Sequence, residues 1–156
     1  MSKNKILKRN LFVLFFLIIS CKYVSYSAVF WADSVIESSG NLYSKNRNKN
    51  CYSNKQILGK PSVMYDFGES VCAWTPREIR RNDFIKVGFK EAIHVQQVAV
   101  SENYCPGAIT KITLYGQDQD TLIYSNSNPL PISRRGRMLN IYIPKTSFKV
   151  DMLRID

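Results

Sequence analysis

From residue 84 onward an apolar side chain recurs at every second position, interrupted every few residues by a polar turn. Ile85, Val87 and Phe89 alternate with Lys86, Gly88 and Lys90, the period of a strand with one buried face. Residues 93–101 are richer in Val and alternate less, which predicts a more central strand. Residues 109–115 put Ile112 and Leu114 on one face, and the polar turn 117–120 leads into Leu122-Ile123-Tyr124. Leu139, Ile141 and Ile143 alternate with Asn140 and Tyr142, and residues 148–155 form a last strand. Short strands separated by turn clusters predict an all-β antiparallel sandwich.

The first half is less regular. Residues 28–40 predict an entry strand or a short amphipathic turn around Trp31, Val35 and Ile36. Residues 41–54 are rich in Asn, Lys and Ser and read as an exposed loop. Residues 55–58 suit one helical turn, stopped by Gly59-Lys60-Pro61. Residues 65–81 form another loop, holding Gly68, Trp74 and Pro76.

Residues 1–10 carry Lys3, Lys5, Lys8 and Arg9 with no acid, and residues 11–19 are nine consecutive apolar residues. That is the pattern of a signal peptide; a transmembrane helix needs roughly 20. Two processing sites fit. Ile18-Ile19-Ser20-Cys21 resembles a lipobox, with Cys21 the lipidated residue and 1–20 the leader. Ser25-Tyr26-Ser27 fits ordinary cleavage, with 1–27 the leader and 28–156 the mature domain. The expectation is an exported protein, periplasmic, outer-membrane or secreted, that meets a membrane only through such a lipid anchor.

Five cations lie within residues 1–27, so the net charge of +10 falls to +5 for the remainder. A mildly basic surface suits anionic envelope polymers and also simply aids solubility. Nucleic acid is not an expected partner, because no reader motif is present. No Asn-x-Ser/Thr sequon occurs, which favours a bacterial exported protein over a glycosylated secretory one.

No catalytic constellation is visible. His94 is the single histidine, and no Gly-x-Ser-x-Gly nucleophile elbow occurs. The Cys51, Cys72 and Cys105 spacings match no zinc pattern. No cofactor is expected; Asp118-Gln119-Asp120 would at most hold a weak structural calcium ion.

Several blocks resemble a known family: Tyr52-Ser53-Asn54-Lys55-Gln56-Ile57-Leu58-Gly59-Lys60-Pro61, Ala73-Trp74-Thr75-Pro76, Phe84-Ile85-Lys86-Val87-Gly88-Phe89 and Val100-Ser101-Glu102-Asn103-Tyr104-Cys105-Pro106-Gly107-Ala108, with Arg135-Gly136-Arg137-Met138-Leu139-Asn140 a further one. Together they resemble the discoidin-like (galactose-binding-like) jelly-roll domain near the N-terminus of OmpA-family envelope proteins of Gram-negative bacteria. The resemblance runs from about Trp31 to the end of the sequence. It implies a jelly-roll sandwich that is short of its last strand. The propeller-like and peptidoglycan-binding regions of the larger family members have no counterpart here, so their anchoring role does not transfer. The family usually has Asn where Cys105 stands. By the resemblance Cys72 and Cys105 occupy neighbouring loops, which implies a bridge between them with Cys51 free; Cys51 is the competing partner for Cys72.

Jelly-roll binding modules use loops at one end, because strands hold the loop bases while loop side chains stay free. Trp74 and Tyr104 are candidates for stacking on a sugar ring, with Arg77 and Glu102 as hydrogen-bonding neighbours. The structural alternative makes Trp74 a plug at the bottom of the barrel and packs Tyr104 beneath the Pro106-Gly107 turn. Glu102 has the further alternative of accepting from loop N–H groups. Arg134, Arg135 and Arg137 are candidates for an anionic glycan or phosphate, or else the charged flanks of a solvated turn. The function expected is a non-catalytic envelope module docking to protein or cell-wall glycan; the alternative is a lectin-like module for soluble or host carbohydrate.

Overall fold

The computed structural model describes residues 28–42, 51–62, 67–77, 82–129 and 135–156. The expected export segment, Cys21 included, and Arg134 lie outside the described residues. Among the described residues seven strands form: β1 (Ser34–Ser38), β2 (Ile85–Ile93), β3 (Gln97–Glu102), β4 (Lys111–Gly116), β5 (Gln119–Ser125), β6 (Arg137–Tyr142) and β7 (Val150–Ile155). A 3₁₀ turn, Asn54–Ile57, is the one helical element among the described residues. It begins where Ser53 Oγ accepts from the Lys55 N–H, a local cap.

Two antiparallel sheets result, one ordered β1-β2-β7-β4-β5 and one pairing β3 with β6. The pairing is nested, with β4 on β5, β3 on β6 and β2 on β7. Register explains the core. Ile85, Ile155 and Ile112 stand side by side across β2, β7 and β4, and Val87, Leu153 and Leu114 form the next row. Val98 and Ile141 of the smaller sheet join the same apolar cluster, so one core serves both layers. Each fully buried aliphatic side chain contributes about 1.5–3 kcal/mol.

The opposite face of the large sheet carries Lys86, Arg154 and Thr113 in one row. Lys86 Nζ lies 4.2 Å over the Tyr115 ring and the Arg154 guanidinium 4.0 Å over Phe84. A hydrogen bond to the Asp156 carboxylate holds the Arg154 guanidinium above its ordinary range.

Connections lace the two sheets together. His94 Nδ1 donates to the Thr146 carbonyl at 2.7 Å, and the Val95 N–H donates to Thr146 Oγ1 at 3.0 Å. The β2–β3 and β6–β7 connections therefore run side by side, and His94 is a fastener there. In the β4–β5 hairpin both Gln117 and Asp118 have positive φ, the backbone of a tight I′ turn.

Three expectations are corrected. Residues 93–101 are not a central strand: β2 runs on to Ile93, and among the described residues β3 pairs only with β6. Its valines face the core, but burial of one face does not require a neighbour at each edge. Phe148 is buried in the connection before β7, outside any strand. Tyr52 and Ser53, at the end of the stretch read as an exposed loop, are buried.

Candidate functional site

Glu102 ends β3 directly opposite Arg137, which begins β6. Burial takes the carboxylate out of water, so both its oxygens need partners. Oε1 accepts from the Gly107 N–H at 2.9 Å and Oε2 from Arg137 Nε at 2.6 Å. Glu102 is thus the clamp of the loop that follows it, residues 103–107. That loop turns through left-handed backbone at Cys105 (φ 48°) and Gly107 (φ 103°) and closes with Ala108 N–H on the Cys105 carbonyl. Asn reaches left-handed φ more readily than other non-glycine residues. The turn alone accounts for a position at which Asn is a natural choice.

Arg137 spends its Nε on Glu102, while its Nη2 is buried with no hydrogen-bond partner among the described residues. Arg135 is exposed two residues earlier. The strand start therefore places Arg137 at the base of the 103–107 loop.

A second clamp brings in the loop that holds Gly68. The Gly68 N–H donates to the Asn103 carbonyl at 3.0 Å, and Asn103 Nδ2 donates to the Gly68 carbonyl at 2.7 Å. Gly68 has φ 132°, a conformation that favours glycine. These two hydrogen bonds set Phe67 against Tyr104, with ring centroids 5.9 Å apart and planes at 42°. Both rings remain open to solvent, Phe67 at 46% and Tyr104 at 58%, and Val71 nearby in the chain is exposed as well. Exposed aromatic rings held rigidly in loops are a contact surface of low entropic cost.

Beneath this pair, the Tyr52 hydroxyl donates to Glu69 Oε1 at 2.5 Å and the Tyr52 N–H to the Val71 carbonyl at 2.9 Å. Tyr52 is buried and its backbone is left-handed (φ 54°). The 67–73 loop is thereby fastened at both sides, to residues 51–53 and to Asn103.

The remaining candidates separate. Trp74 is half-buried, packs on the core and donates its Nε1–H to the Gly40 carbonyl at 3.1 Å. Its polar atom is committed to the fold. Arg77 is exposed near Gly40, whose carbonyl Trp74 holds. Tyr104 points outward and is not packed under the Pro106-Gly107 turn. Cys51, Cys72 and Cys105 are free thiols in this structure, so the Cys72–Cys105 bridge implied by the resemblance is not formed here. Among the described residues no group of three or more His, Cys, Asp or Glu could hold a metal ion, and Asp118 and Asp120 stand without a third such ligand.

Phe67 is not marked by the sequence, and Gly68 and Asn103 appear there without any sign that they meet. A Phe-Gly pair in a turn-rich loop was the available signal, and it acquires meaning only once residue 103 is its neighbour.

The fold and these loops define an all-β protein of two antiparallel sheets, with an exposed aromatic pair clamped at the end of the smaller sheet. No protein-family model matches the chain, and no curated protein matches it.

Proposed function

We propose that the chain is a non-catalytic docking module of the bacterial cell envelope, with the loop end bearing Phe67 and Tyr104 as its contact surface. The favoured ligand is cell-wall glycan, with an envelope protein as the other partner class. The observation that carries this is the solvent-open Phe67–Tyr104 pair, fixed by the two Gly68–Asn103 hydrogen bonds. A sugar ring offers C–H faces to such rings, and the exposed Arg135 is a candidate for its carboxylates or hydroxyls. The export pattern and the OmpA-family resemblance support the envelope assignment.

We infer further that the fold is a discoidin-like jelly roll. A jelly roll is a long antiparallel ribbon wrapped on itself, so its strands pair as nested hairpins. The pairs β4–β5, β3–β6 and β2–β7 suit that scheme.

The test is binding of the purified chain to isolated peptidoglycan sacculi and to a glycan array. Saturable binding to sacculi that is lost in Tyr104→Ala supports the docking reading. Binding confined to soluble or host glycans establishes the lectin-like alternative, and binding to neither removes glycan as the ligand.

A further inference from the structure

Cys51 and Cys72 flank the hydrogen bond that ties residues 51–53 to the 70–73 turn, in which the Tyr52 N–H donates to the Val71 carbonyl at 2.9 Å. In a trans peptide the preceding Cα lies on the same side as the N–H, and the following Cα on the same side as the carbonyl oxygen. Cys51 Cα is therefore turned toward Val71, and Cys72 Cα toward Tyr52. With standard bond lengths and a near-linear hydrogen bond, the two Cα atoms come within about 6–7 Å of each other. A disulfide spans about 4.4–6.8 Å between Cα atoms.

Neither thiol is locked into the core: Cys72 is exposed and Cys51 half-buried. Cys72 lies in a turn closed by the Ala73 N–H on the Ser70 carbonyl, with the Cys72 N–H on Ser70 Oγ. Cys105 has no such link to Cys72. The nearest tie between their loops joins Gly68 to Asn103, four residues from one cysteine and two from the other.

We propose that Cys51 and Cys72 are a disulfide pair in the oxidised protein, stapling the loop that presents Phe67 and Val71. The exposed Cys72 thiolate attacks a disulfide oxidant, such as glutathione disulfide, and forms a mixed disulfide while one reduced thiol leaves. The Cys51 thiolate then displaces the second. The two cysteines lose two electrons and two protons in all, and the oxidant gains them as two thiols.

The experiment uses the full chain refolded with a glutathione redox pair, alkylated and digested with trypsin without reduction. The expected product joins peptide 50–55, which holds Cys51, to peptide 56–77, which holds Cys72. The oxidised chain is expected to melt about 5–15 °C above the reduced one. Cys105→Ser keeps both the cross-link and the shift, and Cys72→Ser loses both. A cross-link that includes peptide 91–111, which holds Cys105, overturns the proposal. So does a cross-link to Cys21, a fully alkylated set of thiols, or loss of the bridge in Cys105→Ser. Should Cys72→Ser not fold, the mapping of the unmodified chain and of Cys105→Ser decides alone.

Discussion

Glu102 and Arg137 face each other across β3 and β6, with Nε 2.6 Å from Oε2, and the other carboxylate oxygen holds the Gly107 N–H. One buried acid thus closes the strand pair and fixes the turn that carries Tyr104. Glu102→Ala leaves the Gly107 N–H and the guanidinium without their acceptor. The expected loss is about 1–3 kcal/mol, discounted because Arg137 is partly exposed to water. Urea unfolding measures it, and a change below about 0.5 kcal/mol would contradict the clamp.

Leu114 is fully buried, whereas Leu122, across the β4–β5 hairpin, is 53% exposed. Leu114→Ala is expected to cost about 2–5 kcal/mol through lost burial and a residual cavity. Leu122→Ala should stay within about 0.5–1 kcal/mol. Equal losses would mean that the hairpin presents its faces the other way round.

Gly116 and Gly59 separate two reasons for glycine. A Cβ at Gly116 would collide with the Lys149 carbonyl oxygen, part of the backbone just before β7. Gly116→Ala is therefore expected to cost more than about 3 kcal/mol or to prevent folding. Gly59 has open space around it but φ 74°, so Gly59→Ala carries only the conformational strain, about 1–2 kcal/mol. Thermal melts of both variants test the ranking.

Trp74 and Tyr104 divide structure from contact. Trp74→Ala loses core packing and the bond to Gly40, and is expected to destabilise by about 2–4 kcal/mol. Tyr104→Ala exposes no core, so its melting temperature should move by no more than a few degrees. On the docking reading it weakens glycan binding by about tenfold or more. A Tyr104→Ala variant that binds sacculi normally would place the contact surface elsewhere.

The strands themselves were legible. Ile85 and Val87 against Lys86, Ile112 and Leu114, and Leu139 and Ile141 against Asn140 all lie in strands, because a two-residue period is written locally by which side chains avoid water. The single turn after Ser53 was legible too, and of the polar turn expected at 117–120 only residues 117–118 turn, since β5 begins at Gln119. Less visible was how many neighbours a strand has. The valines of residues 93–101 suggest a strand paired on both sides, yet among the described residues β3 has β6 alone, since β-branched residues report a buried face and not a filled edge.

Of the site, Tyr104, Glu102 and Arg137 could be named in advance, since loop aromatics and charges stand out by type. Their grouping could not. Residues 68 and 103 share no local signal, and two hydrogen bonds across the fold make Phe67 the neighbour of Tyr104. The sequence by itself determined the all-β character and the inward side of most strands, both consequences of side-chain chemistry over a few adjacent positions. Only the tertiary structure decided that β7 lies between β2 and β4, that Trp74 serves the fold, and that Cys51 stands beside Cys72. Each of these depends on contacts between residues distant in the chain, and a local period carries no information about its partner.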